Sequence, residues 1–235
     1  MNTIGTKAGL LGFGIAITSY GQGFVNLNFE SANVSPFGPG SSETVSATDA
    51  FPSWSVYWGA ELATTAFHNT VPIGSVQASI LGPFYSSGSA ILEGNFTAAL
   101  HPGFRFGFVQ TSASLAQVGQ VPSLAQSLLF KAANFSPSLT NLSVFLGGQQ
   151  LNLFALESTP DYTLFGAPID GSAGQVAELR FTAVHPGQPG GSVYLDGIQF
   201  SPQAVPEPST WALLGLGSAL FWYAARRRWN EKRPA

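Results

Sequence analysis

Chemistry needs groups that titrate, ligate or attack, and this chain holds few of them. Of its 235 residues, nine are Lys or Arg, twelve Asp or Glu, three His and none Cys. The absence of cysteine excludes thiol catalysis, thiolate metal sites and disulfide scaffolds. His68, His101 and His185 stand far apart, and none forms a ligand pair such as His-x-His or His-Glu-x-x-His. They read as loop or surface residues. No Gly-x-Ser-x-Gly elbow and no Gly-x-x-x-x-Gly-Lys phosphate loop occurs, and Gly38-Pro39-Gly40 lacks the third glycine of a dinucleotide fingerprint. Glycoside hydrolysis asks for two carboxyls about 5–10 Å apart. Pairs can be drawn among Glu43, Asp49, Glu61 and Glu93, but spacing selects none of them. The expectation is a protein that is not an enzyme, with no catalytic residues. A secreted glycan-active enzyme is the alternative.

Binding has more to work with. Phe51, Trp54, Tyr57, Trp58, Phe84 and Tyr85 crowd the first third of the chain, and sugar faces stack on exposed rings. In strand alternation Trp54, Val56 and Trp58 share one face, expected in the core, while Ser55 and Tyr57 share the other. Tyr57 and Tyr85 are therefore the expected glycan contacts. Arg105, set between Phe104 and Phe106, points to the polar side of its strand, where it either joins such a site or is solvated. Between residues 22 and 204 only Arg105, Lys131 and Arg180 oppose ten acidic residues, a balance of −7. Binding to phosphate backbones needs several cations on one face, so nucleic acid is not the partner.

These side chains must be positioned by strands. No helical period of any length occurs in residues 22–204, and short alternating runs bounded by Gly, Pro, Asn and Ser recur instead. Phe24–Glu30, Trp54–Trp58, Val76–Leu81, Phe104–Val109, Ser127–Ala132, Tyr162–Ile169, Val176–Val184 and Ser192–Phe200 are expected strands. Leu142–Leu146 and Gln149–Ala155 flank Gly147-Gly148, a two-residue turn whose glycines supply the positive φ of a hairpin. About ten strands result, and the expected fold is all-β: a single β-sandwich of the jelly-roll kind over residues 22–204. Only 9% of residues are charged, against about 25% in an ordinary domain.

The closing third resembles a known group. Tyr162-Thr163-Leu164-Phe165, Asp170, Ala173-Gly174-Gln175, Glu178-Leu179-Arg180-Phe181 and Leu195-Asp196-Gly197-Ile198 are similar to the last strands of galactose-binding-like jelly rolls. Asn28-Phe29-Glu30 is similar to the way such domains begin. The resemblance implies a structural calcium between the first and last strands, with Glu30 and Asp196 as its carboxylates and backbone carbonyls completing the shell. Without the ion, Glu30 ends a strand in solvent and Asp196 bonds a neighbouring turn. No other cofactor is expected.

The two ends read as addresses. Lys7, the apolar run Ala8–Thr18 and small residues at Ser19 and Gly21 form a signal peptide over residues 1–21, so export is expected. At the other end Val205-Pro206-Glu207-Pro208-Ser209 cannot be helical. Residues 209–225 are uncharged and mostly apolar, seventeen residues that would reach about 26 Å as a transmembrane helix. Arg226, Arg227 and Arg228 follow as a cytoplasmic basic cluster. Pro206-Glu207-Pro208, a short apolar stretch and a basic cluster, in that order over residues 205–235, resemble the PEP-CTERM sorting signal of Gram-negative bacteria. The resemblance implies recognition by an exosortase, membrane anchoring before processing, and delivery to the cell surface or extracellular matrix. A structural or adhesive module of the extracellular polysaccharide matrix, binding glycan, is the resulting expectation. A self-associating coat protein is a further alternative.

Overall fold

The computed structural model describes residues 23–35, 43–72, 74–85, 91–107, 109–134, 142–184, 191–205 and Trp222. Strands dominate. The first part of the chain gives β1 (Glu43–Ser46), β2 (Ser55–Trp58), β3 (Glu61–Ala63), β4 (Thr65–His68), β5 (Gln77–Leu81), β6 (Thr97–His101), β7 (Gly103–Arg105) and β8 (Val109–Thr111). The second gives β9 (Ala113–Gln120), β10 (Ser127–Asn134), β11 (Leu142–Leu146), β12 (Gln149–Gln150), β13 (Phe154–Ser158), β14 (Thr163–Pro168), β15 (Val176–Ala183) and β16 (Val193–Ser201). One four-residue helix, α1 (Ala47–Ala50), follows β1, capped by Ser46 Oγ accepting from the Thr48 N–H at 3.2 Å.

Eight strands pair in the order β1-β4-β5-β6-β16-β10-β14-β13, and six in the order β12-β11-β15-β9-β2-β3. The β7–β8 hairpin stands apart as a third, two-stranded sheet. Only β4 and β5 pair in parallel among the described strands. The two large sheets pack face to face. Phe130 on β10 and Phe181 on β15 meet edge-to-face across the layers with ring centroids 5.1 Å apart, and both are fully buried. Trp54 and Phe29 extend that stack, at 6.3 Å from Phe181 and 5.7 Å from Trp54 respectively. Burying each such ring contributes about 2–3 kcal/mol. The architecture is the expected all-β sandwich.

Several expected strands differ. Sixteen strands are described where about ten were expected, because many are short pieces of three to five residues. Phe24–Glu30 is no strand. Asn26 and Phe29 sit at φ 51° and 59°, left-handed backbone that breaks the ladder, although Phe29 is buried as its type suggests. Phe104–Val109 folds back on itself, with Phe106 and Gly107 at φ 50° and 83°. The Gly147-Gly148 hairpin forms, at φ 59° and 80°. Its second arm does not continue to Ala155: β12 stays in the six-stranded sheet and the chain crosses at Leu151 so that β13 joins the other. The signal segment, residues 1–21, lies outside the described residues, as does the proposed transmembrane helix, residues 209–225, apart from Trp222. Among the described residues no helix is long and apolar enough to cross a membrane.

Candidate functional site

At one end of the sandwich the β2–β3 turn meets the β7–β8 hairpin. Gly59, at φ +62°, makes that turn possible and its N–H bonds the Ser112 carbonyl at 2.8 Å. The turn sets Trp58 and Glu61 opposite one another across β2 and β3. Gly103 opens the hairpin against the backbone of Gly74 and Ser75, so close that a Cβ would fall 2.5 Å from the Ser75 carbonyl carbon. The Phe104 N–H bonds the Gly74 carbonyl at 2.7 Å and fixes the hairpin there.

This docking brings Arg105 against Glu61. Both guanidinium nitrogens Nη1 and Nη2 reach the carboxylate, the Nη2–Oε1 distance being 2.7 Å. The Arg105 hydrogen bond and charge hold the Glu61 carboxyl below its usual range, and Glu61 in turn raises Arg105. The guanidinium carbon lies 5.1 Å from the Trp58 ring centre and 4.7 Å from that of Phe106, a cation–π contact to each ring. Trp58 is half-buried against the core, and its Nε1 meets no hydrogen-bond partner among the described residues. Phe106 is 82% exposed. The result is an aromatic face open to solvent beside a charge-neutral fork. Glu61, 61% exposed at its side chain, keeps acceptor capacity toward water.

The two expected calcium carboxylates act on one segment. Glu30 Oε1 accepts from the Asn95 and Phe96 N–H groups at 2.8 and 2.9 Å, and Oε2 from Asn95 Nδ2 at 3.1 Å. Asp196 is fully buried and accepts at Oδ2 from Thr97 Oγ1 at 2.6 Å and from the Glu93 N–H at 3.1 Å. Its Oδ1 accepts from the Gly197 N–H at 2.7 Å. All four oxygens thus face donors, where a cation would require further oxygens. Calcium could enter only by turning those donors away. Among the described residues no group of three or more His, Asp or Glu is placed to hold a metal. Burial pushes the Asp196 carboxyl up to about 7, against the pull of its three hydrogen bonds and with Glu93 adding to the rise. Lys131 stands by, with Nζ 3.0 Å from Glu93 Oε2 and 4.9 Å from the Tyr162 ring centre.

Tyr57 lies on β2 of the six-stranded sheet and Tyr85 in the loop after β5 of the eight-stranded sheet, so no single site holds both. Tyr57 is half-buried on β2, and the Arg180 guanidinium, paired with Glu178 at 2.8 Å, covers its ring at 4.3 Å. Tyr85 packs with Leu81, Leu92 and Ala99 beside Tyr194. Trp54 is core, as expected. His101 is no surface residue. It is buried between Ser192 Oγ at 2.5 Å and Ser79 Oγ at 3.1 Å, and burial lowers its ring to about 3. His68 is also buried, and burial lowers it too. His185 lies outside the described residues. The sequence reading allowed Arg105 a place in an aromatic site but did not bring it to Glu61 or the Phe106 ring. The local signal for that docking was Gly107, a turn residue inside an apparent strand.

The fold runs to Val205 and gives way to the tail. The family model of the PEP-CTERM protein-sorting motif matches residues 204–228. This chain carries a PEP-CTERM sorting signal. The match takes in Pro206, Glu207 and Pro208 and the cluster Arg226, Arg227 and Arg228, all of which lie outside the described residues. The signal marks an exported, cell-surface-directed protein for exosortase processing. No curated protein matches the sequence. A solved structure, TmCBM61 in complex with beta-1,4-galactotriose, is similar over 77% of this chain and 99% of its own, at 11% identity and a TM-score of 0.43.

Proposed function

We propose that this PEP-CTERM protein is a non-catalytic surface or matrix module whose sandwich binds glycan at the end formed by Trp58, Glu61, Arg105 and Phe106. Phe106 carries the reading. A phenylalanine 82% exposed at φ 50° gains little from burial and bears backbone strain, so its position adds nothing to folding. An open ring face suits the C–H face of a pyranose, and the Arg105–Glu61 fork beside it supplies paired donors and acceptors for hydroxyls. The pair's neutrality and the acidic balance of the domain favour an uncharged polysaccharide over a uronate.

In the same reading residues 209–225 anchor the protein in the membrane until the exosortase acts, and the sandwich then serves adhesion in the polysaccharide matrix. A structural calcium at Glu30 and Asp196 is a separate proposal, tested by calcium titration with heat and melting temperature as readouts.

Glycan binding is tested with the full chain in detergent against neutral and acidic bacterial exopolysaccharides. Saturable binding lost in Phe106→Ala supports the site. Binding that survives Phe106→Ala and fails in Tyr57→Ala moves it to the face of the six-stranded sheet. No binding to any glycan overturns the reading.

A further inference from the structure

The sandwich and the sorting signal overlap. The signal begins at residue 204, yet Val205 is only 7% exposed. Gly166 on β14 makes its seat. A Cβ there would lie 2.7 Å from Val205 Cγ2 and 2.8 Å from Leu156 Cδ1, so a hydrogen alone leaves room. The chain leading to that seat is tied down as well. The Gln126 N–H donates to the Ser201 carbonyl at 2.8 Å, and the Gln203 N–H to Ser201 Oγ at 3.1 Å. Ser127 Oγ donates to the Gln203 carbonyl at 2.7 Å. Pro206 follows directly. Enzymes that cut or transfer a chain commonly take it in extended form, as an added strand. The residues before Pro206-Glu207-Pro208 cannot enter such a cleft while Val205 is seated.

We propose that Val205 is a latch: the folded sandwich holds the start of the sorting signal against Gly166, and the exosortase acts on chains in which residues 202–205 have lifted off. The inference rests on the sorting assignment and is independent of glycan binding. Processing then follows the population of the lifted state, as cleavage follows local opening when opening and closing are fast.

The test follows processing of the full chain, co-expressed with an exosortase, by pulse–chase and mass. Gly166→Ala pushes Val205 out of its seat while leaving residues 204–228 unaltered. A Gly-Ser-Gly-Ser insertion between Gln203 and Ala204 uncouples Val205 from the ties at Ser201 and Gln203, so that the seat alone holds it, and leaves the signal and the seat unaltered. Ser127→Ala removes one tie. The expected result is processing on the order of tenfold faster for Gly166→Ala and the insertion, and a smaller gain for Ser127→Ala. Melting curves identify a variant that fails to fold, and the insertion and Ser127→Ala then carry the test. Equal rates in all folded variants overturn the latch and leave the sorting assignment standing. Absence of processing in the wild type and in every folded variant overturns that assignment, and the latch with it.

Discussion

Asp196 grips both ends of one short segment, Glu93–Thr97, and Glu30 grips its middle: Asp196 takes the Glu93 N–H and Thr97 Oγ1, and Glu30 takes the Asn95 and Phe96 N–H groups. The first carboxylate lies near the start of the fold and the second in its last strand. The grip therefore joins chain ends to the middle, over the second core cluster of Leu81, Leu92, Ala99 and Tyr194. Gly94, at φ +61°, sits against Glu30 with no space for a Cβ. Glu30→Ala takes the acceptor from the exposed Asn95 and part-buried Phe96 donors and is expected to destabilise the domain by about 1 kcal/mol in urea unfolding. Gly94→Ala adds left-handed strain and a clash, and is expected to cost at least as much. Unchanged midpoints for both would show that the segment contributes nothing.

Two buried groups set opposite pH slopes. His101 is about 3 in the folded protein against 6.5 in the open chain, so the unfolded state binds the extra proton and stability falls as pH drops from 6.5 toward 3. By pH 4 that loss is about 3 kcal/mol. Asp196 runs the other way. Its folded value is about 7 against 3.8, so the folded state binds the extra proton and stability falls as pH rises from 4 to 7. The two largely cancel between pH 4 and 6.5. Replacement of either group is expected to expose the other. Denaturant midpoints of His101→Gln should fall with rising pH, and those of Asp196→Asn should rise with it. Parallel slopes in the two variants would refute the assignment.

Phe106 divides stability from binding. Glycine at this position relieves left-handed strain at the cost of some chain entropy, and the lost ring was largely in water. Phe106→Gly is expected to stabilise the domain by about 1 kcal/mol, a rise of about 2–4 °C in melting temperature. Glycan binding should vanish in the same variant. A lower melting temperature would mean that the ring packs on Arg105 strongly enough to support the hairpin.

What the sequence disclosed follows from how local each signal is. Gly147-Gly148 announced its hairpin because the turn's demand for positive φ is met within two residues. Trp54 and Val56 were readable as core from alternation alone. The backbone at Asn26 and Phe29 was not readable, since apolar residues alternated across a segment that turns left-handed twice, although Phe29 is buried. Phe104–Val109 misled in the same way, with Phe106 placed in a strand it ends. The candidate site was hidden for a further reason. Arg105 meets Glu61 and Trp58 only because Gly103 docks the hairpin on Gly74 and Ser75, a contact between segments that nothing in either one announces. The tail needed no such contact, as its three parts are consecutive and each is set by composition.

The fork beside Phe106 gives the sharpest test of the glycan site. Arg105 presents two nitrogens to the two oxygens of Glu61 and a flat face to Trp58 and Phe106 at once, and a lysine ammonium can do neither. Because Glu61 is largely exposed, the ion pair adds little to folding, and Arg105→Lys should leave the melting temperature nearly unchanged. Its effect belongs to recognition. The ammonium lets Glu61 and the Phe106 ring move independently, so affinity for a neutral polysaccharide is expected to drop about tenfold by calorimetry. Glu61→Gln keeps an acceptor and a donor but removes the charge that aligns Arg105, and should fall between Arg105→Lys and the wild type. If both variants bind as the wild type does, the fork plays no part in recognition and Phe106 acts alone.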